Sequence, residues 1–296
     1  MSWLIVIILA YFLFAVVSLV DRYLLIGSPN PKIYTFYVGV LGILTLLLVP
    51  FVGFSVPGIY EIIFCLLVGA VYIFALFFLF FGLEQFEAST IIPGIGGFLP
   101  IFTLLLIYFF SGGRTVLNPL EILAFFFLVL GSVTVSWQAP TKIFFKGLGF
   151  SALTGLFLSL NFVLAKYVYL MLPFWTGFIW IRVGAFLTVL FFLFTKQVRK
   201  ELFSDVSAFS KKTGAFFLFN QAIGAGAFTL QNWAIALAGL AYLSVINALQ
   251  GIQYALLFIL TILFSKIFKE EISKKVILQK IIAILFIGVG VVILAL

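Results

Sequence analysis

The sequence predicts an all-α integral membrane protein of ten transmembrane helices, arranged as two five-helix repeats of inverted topology. Three observations predict it. Hydrophobic residues make up 65% of the 296 residues and charged residues only 9%, with a mean hydropathy of +1.34. The chain divides into ten apolar runs joined by short connections, and its two halves resemble each other in order and spacing. Forty phenylalanines and eleven tyrosines exceed what one soluble core could bury, so the solvent of such a surface is mostly lipid.

About 20 apolar residues cross a ~30 Å hydrocarbon layer as a helix. The first run, Trp3–Ile26, has no basic stretch or small-residue cleavage site ahead of it and is expected to be a retained span, not a signal peptide. The next four are expected at Tyr34–Val52, Ile62–Gly82, Thr90–Phe110 and Leu120–Trp137, completing a first repeat over residues 3–137. The second repeat, residues 147–296, holds Gly147–Leu170, Phe174–Phe194, Gly214–Leu237, Tyr242–Phe264 and Val276–Leu296. The fourth span is the unusual one, because "IIPGIGGFLP" puts Pro93 and Pro100 around three glycines. Proline removes a backbone donor, and glycine in a helix interior costs about 1 kcal/mol relative to alanine.

The repeat is visible without a gap. "LEQFEASTIIPGIGGFLPIFTLLLIYFF" (83–110) lies over "LAGLAYLSVINALQGIQYALLFILTILF" (237–264), so that Leu83 meets Leu237, Gly97 meets Gly251 and Phe110 meets Phe264. The halves close on "LVLGSVTVSW" and "LFIGVGVVIL", and "VDRYLL" (20–25) parallels "LAKYVYL" (164–170). Five spans per half is an odd number, so the second copy enters the membrane with the opposite orientation, as in many secondary transporters.

The "GLEQFEAST…LPIFTLLL" segment, its counterpart in the second half and "EEIS" (270–273) before a last helix containing "IGVGVVIL" resemble the drug/metabolite transporter superfamily, in particular its ten-helix members with two EamA-type repeats. The resemblance covers nearly the whole chain. It implies a secondary transporter, exporter or facilitator, for small polar or amphipathic metabolites such as amino acids. It does not imply a particular substrate.

A buried polar group in hydrocarbon needs a partner, so the polar residues inside the spans are informative. Asn220, Gly224, Ala227 and Gln231 form one helical stripe in the eighth span; Ser244, Asn247, Gln250 and Tyr254 form another in the ninth. Thr154 and Asn161 repeat the spacing in the sixth, and Tyr11, Ala15 and Ser18 in the first. Such groups serve either as glue between helices or as the lining of a cavity; taken together they are read as substrate-binding. Aligned without a gap, Pro93 faces Asn247 and Pro100 faces Tyr254. The fourth span is therefore expected to break its backbone there, with Pro93 and Gly97 as a hinge at the cavity wall, the alternative being a packing kink. Arg182, mid-run in "FIWIRVGAF", is a candidate for attracting a substrate carboxylate or phosphate, or else for a structural bond to helix-end carbonyls.

Absences narrow the chemistry. There is no histidine, one cysteine (Cys65), no G-x-x-x-x-G-K-[ST] loop and no acidic or cysteine cluster at metal-ligand spacing. No enzyme activity, catalytic residue, cofactor, metal or ATP is expected. The competing classes are a membrane-embedded enzyme, a channel and a purely structural membrane protein. The first would need convergent carboxylates or a nucleophile–base pair. The net charge of +8 comes from basic residues in short loops and is read as membrane anchoring, not nucleic-acid binding. The expected partners are a small-molecule substrate and the lipid bilayer, with the chain as a monomer.

Of 17 basic residues, 14 fall on one side of the ten-span arrangement. They are Arg22, Lys32, Lys142, Lys146, Lys196, Arg199, Lys200, Lys211, Lys212, Lys266, Lys269, Lys274, Lys275 and Lys280. Basic residues of short loops stay cytoplasmic, so both termini of this multi-pass inner-membrane protein are expected outside.

Overall fold

The computed structural model describes residues 2–24, 31–85, 88–114, 117–136, 144–196, 198–199, 211–263 and 274–295, and among them every regular element is a helix. In chain order these are α1 (Ser2–Leu24), α2 (Pro31–Gly42) running on as a 3₁₀ helix (Ile43–Phe51), α3 (Ile59–Gln85), α4 (Ala88–Phe110) and α5 (Pro119–Ser136). The second half holds α6 (Phe144–Met171), α7 (Phe174–Leu190) with a short 3₁₀ extension (Phe191–Phe194), α8 (Lys211–Leu237), α9 (Tyr242–Ala248), α10 (Gln250–Leu263) and α11 (Lys274–Ala295). Most expected boundaries fall within three residues of these; Ile26, Trp137, Phe264 and Leu296 lie outside the described residues.

This is a helical membrane protein. Five stretches, Ser2–Val20, Ile59–Leu79, Gly149–Met171, Phe174–Phe194 and Tyr242–Leu260, are long and apolar enough to cross a bilayer, and shorter apolar helices accompany them. Large apolar side chains line the outside: Leu47 is 68% exposed, Phe109 74% and Leu285 63%. Water would penalise such a surface; lipid does not. The second rod gains reach from its 3₁₀ part. Twelve α-helical residues at 1.5 Å and nine 3₁₀ residues at 2.0 Å add to about 36 Å, enough for the hydrocarbon layer. Pro50, which cannot donate a backbone bond, sits near its end, and the chain turns extended at Val52.

The main core lies between α1, α4, α5, α6 and α8 to α11, around Ile7, Tyr11, Leu99, Leu128, Ile235 and Ile246. Its seams are stitched by side chains reaching across to backbone: Tyr11 donates to the Ile246 carbonyl at 2.8 Å, Ser159 to the Leu99 carbonyl at 2.8 Å, and Asn161 to the Val68 carbonyl at 3.1 Å. Lys166 is buried and donates to the Ala236 carbonyl at 2.8 Å, where it caps the end of α8.

One expectation is overturned. α4 runs unbroken through Pro93 and Pro100, and the break falls in its partner rod, at Leu249 between α9 and α10. α4 packs closely against α6 along this stretch. Gly155 of α6 packs directly on Phe98 and Leu99, and the Leu99 carbonyl accepts hydroxyls from Thr103 and Ser159, each at 2.8 Å. At Leu249 the pattern tightens: the Ile252 amide bonds to the Leu249 carbonyl, three residues back. The side chain of Pro93 lies outside the described residues, and Gly97 packs against Val133 of α5.

Candidate functional site

A cavity of about 620 Å³ opens between α1, α2 with its 3₁₀ extension, α3, α7 and α8. Its walls are mostly apolar, with Val17, Leu41, Leu76 and Phe228 among them, and the polar side chains that reach it are Ser18, Tyr72, Thr45, Gln221, Thr229 and Arg182. That is the usual character of a small-molecule site: concave, greasy, with a few polar groups to orient the ligand.

Arg182 is the unusual member. It lies eight residues after the start of α7 and twelve before Phe194, so it has no short route to either membrane face. It is 7% exposed, its Nε is buried without a partner, and it makes no hydrogen bond or ion pair among the described residues. Aromatic rings take the place of water instead. The guanidinium carbon lies 3.7 Å from the Phe228 ring centroid, 5.2 Å from Tyr72 and 5.6 Å from Phe178. Each such contact is worth about 0.5 kcal/mol when exposed and ~2 kcal/mol or more when desolvated. Tyr72 and Phe178 each also touch Phe228, with ring centroids 5.3 and 6.1 Å apart, so the three rings form one cage.

Local sequence builds this cage. Phe178 sits four residues before Arg182 and shares its helical face. Gly184, two residues on, lets α7 press against α3: a Cβ there would come within 2.5 Å of Leu66 Cα. Gly69 of α3 makes the reciprocal approach to Ile181 and Ala185, and this contact carries Tyr72 toward the guanidinium. On the other wall, Gly42 of α2 borders the arginine at van der Waals distance, 3.7 Å from where a Cβ would lie to Arg182 Cδ.

Most of the remaining sequence-derived candidates lie elsewhere. Asn220 points from α8 to the Val17 carbonyl of α1 at 3.4 Å, and Asn247 donates to Thr103 Oγ1 of α4 at 2.7 Å. Asn161 bonds α3, as above, and Ser244 turns back on the Ala241 carbonyl at 3.1 Å. Gln231 and Tyr254 lie near the Tyr11 hydroxyl, and Gln250 is half-buried just after the break. Of the residues read from the sequence as substrate-binding, Arg182, Ser18 and Gly224 line the cavity, and the amide-bearing ones do not. α8 faces two ways: Asn220 of its amide stripe turns to α1, Gly224 of the same stripe borders the cavity beside Val17, and the adjacent face with Phe228 lines it. Phe178 was readable as the aromatic i−4 neighbour of a mid-span arginine. Tyr72 and Phe228 come from other helices and had no local signal.

No family profile and no curated protein matches the sequence. Solved structures do: one, described only as "Crystal structure of protein", superposes with a TM-score of 0.71 over 100% of this chain and 98% of its own, at 16% identity. The fold recurs in nature. At that identity the likeness shows the fold alone.

Proposed function

We propose that this chain is a secondary transporter of small molecules that works by alternating access between two inverted five-helix repeats, residues 3–137 and 147–296. The observation that carries the proposal is a pair of seams that correspond when the halves are exchanged, one closed and one open. With α1 to α5 matched to α6, α7, α8, α9–α10 and α11, the packing of α1 on α8 corresponds to that of α6 on α3. Likewise α4 on α6 corresponds to α10 on α1, α2 on α3 to α7 on α8, and α5 pairs with α11. The tight α3–α7 seam has its counterpart between α8 and α2, and there the cavity lies instead.

A carrier caught in one of two states has this asymmetry: one gate shut, its twin open. The amide-bearing helices α6, α8 and α9, with α1 and α4 that accept bonds from Asn220 and Asn247, then form the scaffold between the halves, and the cavity with Arg182 holds the cargo. Both termini lie outside the inner membrane, with the basic connections in the cytoplasm. The bilayer and a small molecule are the partners; neither ATP nor nucleic acid is required.

The test is flux. Purified protein is screened by thermal shift against amino acids, nucleosides, sugars, organic acids and cationic drugs, and each stabilising solute is assayed for uptake into proteoliposomes. Protein-dependent uptake of at least one is expected, and it is abolished by a side chain that fills the cavity at Gly226. Stabilising ligands that never cross the membrane would overturn the proposal. Orientation is checked separately with Ser207→Cys in a Cys65→Ala background: an impermeant maleimide should leave it unlabelled in intact cells, and labelling would put that loop outside.

A further inference from the structure

We propose that the cavity takes an organic carboxylate, a monoanion with an apolar body, and that its carboxylate pairs with the guanidinium of Arg182. The inference rests on the transport proposal for the cavity's role and names the chemical class of its cargo.

The first argument is charge. Arg182 stays protonated in any protein environment, yet it is 7% exposed, Nε is orphaned, and no acid among the described residues pairs with it. A desolvated cation surrounded by rings recovers only part of its lost hydration, and an anionic partner restores the rest. Among the described residues, the cavity lining offers no carboxylate of its own. An unpaired cation bordering an apolar hollow is thus a receptor for an anion supplied from outside.

The second argument is shape. Phe228 lies over the guanidinium carbon at 3.7 Å, which occupies one face and leaves the N–H edges as the means of contact. A planar carboxylate meets such an edge with two parallel hydrogen bonds, the best match for an arginine fork. The rest of the lining fixes what the carboxylate carries. Thr45 donates its hydroxyl to the Gly42 carbonyl at 2.9 Å and Thr229 to the Ala225 carbonyl at 2.8 Å, so neither hydroxyl is free to donate to a ligand. Among the described lining residues there is no acid to meet an ammonium or cationic drug, and Arg182 is the one cation to meet a negative group. Phe14, Val17, Leu41 and Leu76 suit an aliphatic or aryl body. Amino acids, the class that the family resemblance suggested, fit less well than their deaminated analogues.

A carboxylate can arrive from water or, as a fatty acid, from the bilayer, and the experiment separates the two. Full-length protein in phosphatidylcholine nanodiscs is titrated calorimetrically with 3-phenylpropionate and with its neutral isostere 3-phenylpropionamide; the titration is repeated with oleate incorporated in the disc. The acid is expected to bind at least about tenfold more tightly than the amide, the advantage of a charge-assisted over a neutral hydrogen bond. Arg182→Gln should erase that difference and Arg182→Lys should keep part of it. Competition by oleate shows that the same carboxylate site is also fed from the membrane, and its absence confines the source to water. Equal binding of acid and amide, no binding of the acid at millimolar concentration, or a preference that survives in Arg182→Gln overturns the inference. If Arg182→Gln does not fold, the acid–amide comparison in the unaltered protein decides. Selective binding of the acid without uptake of any solute would leave the carboxylate site standing and remove transport. Uptake of some solute with acid and amide bound equally would do the reverse.

Discussion

The α3–α7 seam and the α2–α8 gap use similar residues to opposite ends. In the seam, Gly69-Ala70 of α3 meets Gly184-Ala185 of α7, and each glycine rests on the other helix's backbone. Across the gap, α8 carries the same dipeptide as Gly224-Ala225 and adds Gly226, yet nothing lies within 4 Å of where a Gly226 Cβ would be, and Gly224 has only Val17 at 3.6 Å. Small residues permit close helix approach; they do not compel it. In the closed seam, that approach carries Tyr72 to Arg182 of the opposing helix. In the open gap, α8 has the surface for such an approach but the cavity separates it from α2. On the alternating-access proposal the two are one device seen in its two positions.

Substitutions at the two places should therefore behave differently. The largest effect is expected from Gly184→Val, whose branched side chain would collide with the α3 backbone at Leu66. Overpacking costs roughly 1–3 kcal/mol and more where backbone cannot yield. A marked fall in thermal stability and yield in detergent is the expected result, and a stable variant would show that the seam is not close-packed. Asn247→Leu comes next. It removes the 2.7 Å bond to Thr103, worth about 0.6 kcal/mol by the average of bonds between membrane helices. A small drop in melting temperature with flux retained is expected; lost flux at full stability would return Asn247 to the substrate site. Smallest in stability is Gly226→Leu, which enters open cavity and should stay within about 0.5 kcal/mol of the parent. Its flux should nonetheless vanish, because the gap can no longer shut. Normal flux from this variant would break the equivalence of gap and seam.

Much of the fold was legible because lipid imposes a simple rule. Helices must bury their own backbone bonds, so run length alone placed most boundaries, from Ser2–Leu24 to Lys274–Ala295. The location of the kink was not legible. Two prolines and three glycines in α4 mark it as weak in isolation, yet it runs as one helix against Gly155 and Ser159 of α6, and those contacts come from packing. The amide stripes were found correctly as helical faces, while what they face was not readable. Asn220, Asn161 and Asn247 spend their donors on neighbouring helices. Arg182 stood out because a mid-span arginine has no cheap explanation. Its cage partners Tyr72 and Phe228 lie 110 and 46 residues from it in sequence, on other helices, and only tertiary structure brings them to it.

The central claim is that seam and gap exchange roles, and pairs of spin labels test it directly. One pair, at Leu44 and Leu218, spans the gap; the other, at Leu67 and Leu187, spans the seam from its exposed side. Distances are measured by pulsed electron resonance in nanodiscs, in the Cys65→Ala background, with and without 3-phenylpropionate. The account predicts two populations for each pair, changing in opposition, so that conditions that shorten the gap lengthen the seam. A single unchanging seam distance under conditions that support flux would contradict it.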